Sequence, residues 1–103
     1  MTERLKGSGS EIVLDRKSDS RRRIRQIFDM AFGVYIKEEI NKTDTWRDIQ
    51  WGQLWSHFTH EVKEIHDSKG RDRQFHNILD AINLLGMLGA KIVLEEEKKG
   101  GIV

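Results

Sequence analysis

Through "IRQIFDMAFGVYIKEEI" the apolar residues Ile24, Ile27, Phe28, Ala31, Phe32, Tyr35 and Ile36 recur at three- and four-residue steps. That spacing predicts an amphipathic helix, with Ser18, Asp19 and Ser20 ahead of it as N-cap candidates. Residues 1–19 are polar, carry "GSGS" and read as a flexible lead-in. Within them "EIVLD" (11–15) has the composition of a small strand or docking segment. Downstream, "NKTDTWRDIQWG" reads as a turn in which Thr45 and Asp48 are spaced like a capping box.

A second helix is expected from about Gln50 to His66. At roughly 100° per residue, Leu54, Ile65, Phe58, Val62 and Trp55 share one arc and predict a buried stripe. His57, Glu61 and Glu64 lie on the edge of that stripe. After the polar turn "HDSKGRDR", a third helix starts near Arg73 and ends in "EEEKKGG", where lysines suit a C-terminus and glycines stop the helix. Phe75, Ile78, Leu79, Ile82, Leu85 and Leu88 cover most of its circumference, so it is expected to be buried nearly all round. The exception is a strip holding His76, Asp80, Asn83 and Met87. Gly86, Gly89 and Ala90 would admit the close approach of another helix, from this chain or a second copy.

The turn is short, so the second and third helices are antiparallel neighbours, and levels match where residue numbers sum to roughly 141. Glu61 then lies level with Asp80, Glu64 with Asn77, and His57 or Phe58 with Asn83. Carboxylates gathered beside a core repel one another unless a cation or protons intervene. Magnesium suits such a set, because it takes oxygen ligands, keeps waters and is completed by substrate phosphates. The plain alternative is that Glu61 and Glu64 are solvated helix glutamates pairing with Lys63 or Arg71.

Composition narrows the field. The chain has 103 residues, no cysteine and no proline. It divides into the lead-in 1–19, one all-α domain over 20–99 and a tail 100–103. The absence of thiols suits a reducing cytoplasm. The run Ile78 to Leu94 is interrupted by Asp80, Asn83 and Lys91, so no membrane span is expected. Lys and Arg total 18 against 17 Asp and Glu, a net charge of +1, which disfavours nucleic acid despite the basic "RRRIR" at 21–25. Paired Glu-x-x-His motifs, which a di-iron bundle needs, do not occur.

The stretch "HEVKEI…NILDAINLL" resembles the hairpin of the all-α nucleoside triphosphate pyrophosphohydrolases, the MazG-like superfamily. The family pattern Glu-Glu-x-x-Glu, spacer, Glu-x-x-Asp reads here as His60-Glu61-Val62-Lys63-Glu64, twelve residues, then Asn77-Ile78-Leu79-Asp80. "TDTWRDIQWGQL" is similar to the turn of nucleotide-modification-associated relatives. The resemblance covers about residues 20–94. It implies an antiparallel hairpin or bundle of three or four helices, assembled as a dimer or tetramer. It further implies hydrolysis between the α- and β-phosphates, releasing a nucleoside monophosphate and pyrophosphate.

By that resemblance Glu61, Glu64 and Asp80 are the catalytic and Mg²⁺-binding residues, with Mn²⁺ as a substitute. His57, His60, His76 and Asn77 are further candidate ligands. Substrate contacts would come from Asn83, Trp46, Arg47, Lys63, Lys69, Arg71 and Arg73. Trp51 and Trp55 are stacking candidates, although Trp55 on its stripe reads rather as core. His60 and Asn77 stand where the family has glutamates, which removes carboxylate ligands. Two alternatives follow: a catalytically silent structural helical dimer, and, against the charge balance, a nucleic-acid-binding module.

Overall fold

A computed structural model of the chain describes residues 9–42 and 44–100, with side chains described from residue 15 and not at 41 and 42. Its elements are α1 (Gly9–Lys42), a short 3₁₀ turn (Thr45–Asp48), α2 (Trp51–Asp67) and α3 (Arg71–Lys98). The described residues form helices and turns, with no strand among them.

α1 starts well ahead of the expected point. "EIVLD" is helical, and Ser18, Asp19 and Ser20 lie inside the helix rather than capping it. Local bonds support that segment. Asp19 accepts from Arg22 (2.5 Å) and Arg23 (2.8 Å), and the Ser20 hydroxyl donates to the Arg16 carbonyl (2.9 Å). The first eight residues of the expected lead-in, and 101–103 of the tail, lie outside the described residues.

The expected capping box is absent as well. α2 begins at Trp51 with Gln50 as its N-cap, and neither Gln50 nor Asp44 makes a side-chain capping bond. Thr45 and Asp48 instead sit in the 3₁₀ turn. Its Arg47 carbonyl accepts a 2.9 Å bond from Lys91 Nζ, a lysine only 8% exposed inside α3. A buried ammonium needs such a partner; here it ties the turn to the last third of α3.

α2 and α3 form the expected antiparallel hairpin, closed by Ser68–Gly70. Gly70 has φ +92°, a conformation in which a side chain is strained. The Ser68 amide bonds the Glu64 carbonyl (2.8 Å), and Gln74 Nε2 reaches back to the Ile65 carbonyl (3.0 Å). α3 is the hub, packing against α2, α1 and the 3₁₀ turn. By length and composition α3 is apolar enough to cross a bilayer, and within this fold it buries Leu79, Ala81, Leu88 and Lys91.

The core is thin. Among the described residues its buried apolar members are Ala31, Leu54, Leu79, Ala81 and Leu88. Two expectations fall here. Of the α2 stripe only Leu54 is buried, while Trp55 is 43% exposed, stacked on Trp51 (5.7 Å) and tilted against Phe58 (5.5 Å). On α3, Leu85 and Ile92 are exposed, so that helix is not covered all round. Nor, among the described residues, does a helix close on its glycines, since a Cβ at Gly86 or Gly89 would meet nothing within 4 Å. One cause explains these differences: the periodicity is that of surfaces needing cover, and α1 packs along only one side of the hairpin. The radius of gyration, 18.7 Å, exceeds the roughly 13 Å of a compact chain this long.

Candidate functional site

Where α1, the 3₁₀ turn and the hairpin meet, they border an open cavity of about 390 Å³. α2 contributes Leu54, His57 and Glu61; α3 contributes Asp80, Asn83, Leu84 and Met87. α1 adds Tyr35, Glu38 and Glu39, and the turn segment adds Thr45, Trp46 and Ile49. Glu61 and Asp80 thus face one space, as do His57 and Asn83.

Two hydrogen bonds set this wall. Asn83 Nδ2 donates to the Ala31 carbonyl (2.7 Å), fixing α1 against α3 at a point where Ala31 is wholly buried. Trp46 Nε1 donates to the Tyr35 hydroxyl (2.9 Å), and the Glu39 carboxylate stands near that hydroxyl. Burial, with the neighbouring Glu39 and Asp44 adding to it, raises the Tyr35 pKa above 10.0, partly offset by the Trp46 bond.

Glu61 is the unusual group. Its Oε2 is shut off from solvent with no hydrogen-bond partner. Burial raises its pKa above 4.5, and the charges of Glu64 and Asp80 push it the same way, against opposing effects of His60 and His57. Among the described residues lining the cavity there are four carboxylates and neither lysine nor arginine.

The other sequence candidates sit elsewhere. Glu64 faces an adjoining cleft with Asp67, Ser68, Lys69, Arg73 and Asn77, and its Oε1 lies 2.9 Å from His60 Nε2. Asn77 Nδ2 donates to Ser68 Oγ (2.7 Å), and Ser68 Oγ donates to the Glu64 carbonyl. Lys69, Arg71, Arg73 and His76 border a separate hollow around the α2–α3 turn. Lys63 and Arg47 are exposed side chains outside the cavity wall.

A divalent cation finds some of its needs met. Glu61 offers an unsatisfied oxygen and Asp80 shares its cavity, which is hard oxygen-donor chemistry. Glu64 is held beside His60, and among the described residues no group of three or more His, Asp and Glu side chains is arranged to hold a metal. The donor set at hand is the pair Glu61 and Asp80.

Tyr35, Glu38, Glu39, Ile49 and Met87 also line the cavity, though as site residues they were not expected. Tyr35 was visible only as one member of an apolar stripe. The docking direction of α1, which places Tyr35 and the two glutamates here, follows from the Asn83–Ala31 contact across 52 residues.

No family model matches the chain, and no curated protein or solved structure matches it either.

Proposed function

We propose that the cavity binds a nucleoside triphosphate and that the chain is a Mg²⁺-dependent pyrophosphohydrolase, a divergent relative of the MazG-like enzymes its hairpin resembles. The observation that carries this reading is the buried, unpartnered Oε2 of Glu61 beside Asp80. Such an oxygen is satisfied by a proton or a cation. Glu61 and Asp80 are the residues that would hold Mg²⁺ or Mn²⁺, while Glu64, one turn along α2, is engaged with His60. A divalent ion there would supply the positive charge that lets a triphosphate approach four carboxylates.

The chain's own groups have distinct parts in this reading. Trp46 and Tyr35 offer ring faces to a base, and their mutual hydrogen bond fixes the Trp46 indole. Asn83 spends one amide donor on the Ala31 carbonyl and lines the cavity, where its side chain would meet substrate. Glu61 or Glu64 would accept the proton of the attacking water. Attack on the α-phosphate releases pyrophosphate and leaves the monophosphate. The test is pyrophosphate release over a panel of canonical and modified nucleotides with Mg²⁺. Asp80→Ala should reduce the rate at least 100-fold, and release from no nucleotide by folded protein would overturn the assignment.

A second reading is favoured by one observation, the want of a preformed three-carboxylate set among the described residues. In it the chain is a structural helical dimer whose acidic pair binds no substrate. Thermal denaturation separates the two, because a ligand that prefers the folded state raises its melting temperature. A rise with millimolar Mg²⁺ that Asp80→Ala abolishes favours the enzyme.

A further inference from the structure

α1 carries an apolar row that stays exposed among the described residues. Ile24, Phe28, Phe32, Ile36 and Ile40 follow at four-residue intervals, all exposed, reaching 61% at Phe32 and 79% at Ile40. The opposite side of the helix, around Ile27, Ala31 and Val34, is the side that is buried or half-buried. Each four-residue step turns the row by about 40°, so Phe28, Phe32 and Ile36 share one face with Ile24 and Ile40 at its flanks. Together they offer roughly 500 Å² of apolar surface at typical side-chain areas. It would form the apolar centre of a standard interface, which takes about 800 Å² per partner.

Charge along the same helix identifies the occupant. On the side of α1 that carries Phe32, Arg21 and Arg25 lie in the N-terminal part and Glu39 near the C-terminal end. Laid antiparallel on a second α1 and centred on Phe32, the helix meets itself with residue numbers that sum to 64. Phe32 then faces Phe32, Phe28 faces Ile36, and Arg25 lies level with Glu39. At about 100° per residue, Arg25 and Glu39 each point within roughly 20° of Phe32, into the same contact. A parallel pairing would instead set Arg25 against Arg25.

We propose that a second copy of this chain seats antiparallel on the α1 row, centred on Phe32, and delivers its Arg25 to Glu39 at the mouth of the acidic cavity. Glu39 and Tyr35 both line that cavity, and Phe32 stacks on Tyr35 at 6.4 Å, so the seam adjoins the cavity wall. The pairing supplies a fixed positive group to a cavity whose described lining has none, and an anionic substrate needs one. That functional half rests on the nucleotide reading above; the seating does not.

The chain has no native cysteine, so single cysteines report the arrangement directly. Sedimentation of the full chain at tens of micromolar should give a dimer. Phe32→Cys should cross-link to itself with a short bismaleimide, and Phe28→Cys should cross-link to Ile36→Cys but not to itself. Arg25→Glu should weaken dimerisation at least tenfold, and adding Glu39→Arg should restore it. A monomeric wild type, self-linking of Phe28→Cys or failure of Phe32→Cys to link would each overturn the proposal. A dimer that links as described yet turns over no nucleotide sinks the enzymatic reading and leaves the interface standing.

Discussion

The side chain of Asn83 donates 2.7 Å to the backbone carbonyl of Ala31, and this bond joins α1 to the hairpin beside the cavity. Because Ala31 is fully buried, water cannot replace the lost donor when Asn83 is removed. Asn83→Ala should destabilise the fold by about 1–3 kcal/mol in urea denaturation. A stability unchanged within a few tenths would mean that α1 is not held at this point.

Glu61 predicts a pH dependence. Its pKa is raised in the folded state above the ordinary 4.5, so the folded form binds the proton more tightly than the unfolded chain. The stability this contributes is fully present below about pH 4.5 and is lost as pH rises through the folded value. Glu61→Gln keeps the shape without the charge. It should melt higher than wild type at pH 7 and match it near pH 4. If added Mg²⁺ raises the wild-type melting temperature at pH 7, that rise should shrink in Glu61→Gln.

Lys91 provides a test of the 3₁₀ turn. Lys91→Met keeps the aliphatic packing and removes the bond to the Arg47 carbonyl, at a cost of about 1–3 kcal/mol. The turn carries Trp46, so its indole should lose its fixed place against Tyr35. Intrinsic fluorescence should show a wetter, red-shifted emission.

Glycines separate free surface from covered surface. Gly86 and Gly89 lie mid-helix with open space around them, so alanine at either should stabilise by about 0.5–1 kcal/mol in a monomer. If a second copy packs there, the same substitution should destabilise the dimer instead. Gly70→Ala forces a side chain into φ +92° and should cost about 1–2 kcal/mol whatever the assembly.

Much of the hairpin was legible because its signals are local. Breaks at Gly70 and after Lys98, with one short turn between helices, place Glu61 level with Asp80 by counting alone. The depth of burial was not legible. Trp55, Val62 and Leu85 sit at helix spacings that ask for cover, and periodicity cannot say whether the cover is in this chain. The reach of α1 was missed because Ser18, Asp19 and Ser20 have the composition of a cap. A run of Arg and Asp at three- and four-residue steps lets the helix pass through them. Glu38 and Glu39 escaped as site residues because no local pattern fixes which side of the hairpin α1 lies on.

The bend Ser68 to Gly70 is the zero mark for the acidic pair. One residue inserted within α3 between Arg71 and Asp80 would carry Asp80 about 1.5 Å along the helix and about 100° around it, swinging it away from Glu61. Relatives of this chain should therefore vary freely in the chemistry of the bend, at Lys69 above all, while the spacing from the bend to Asp80 stays constant.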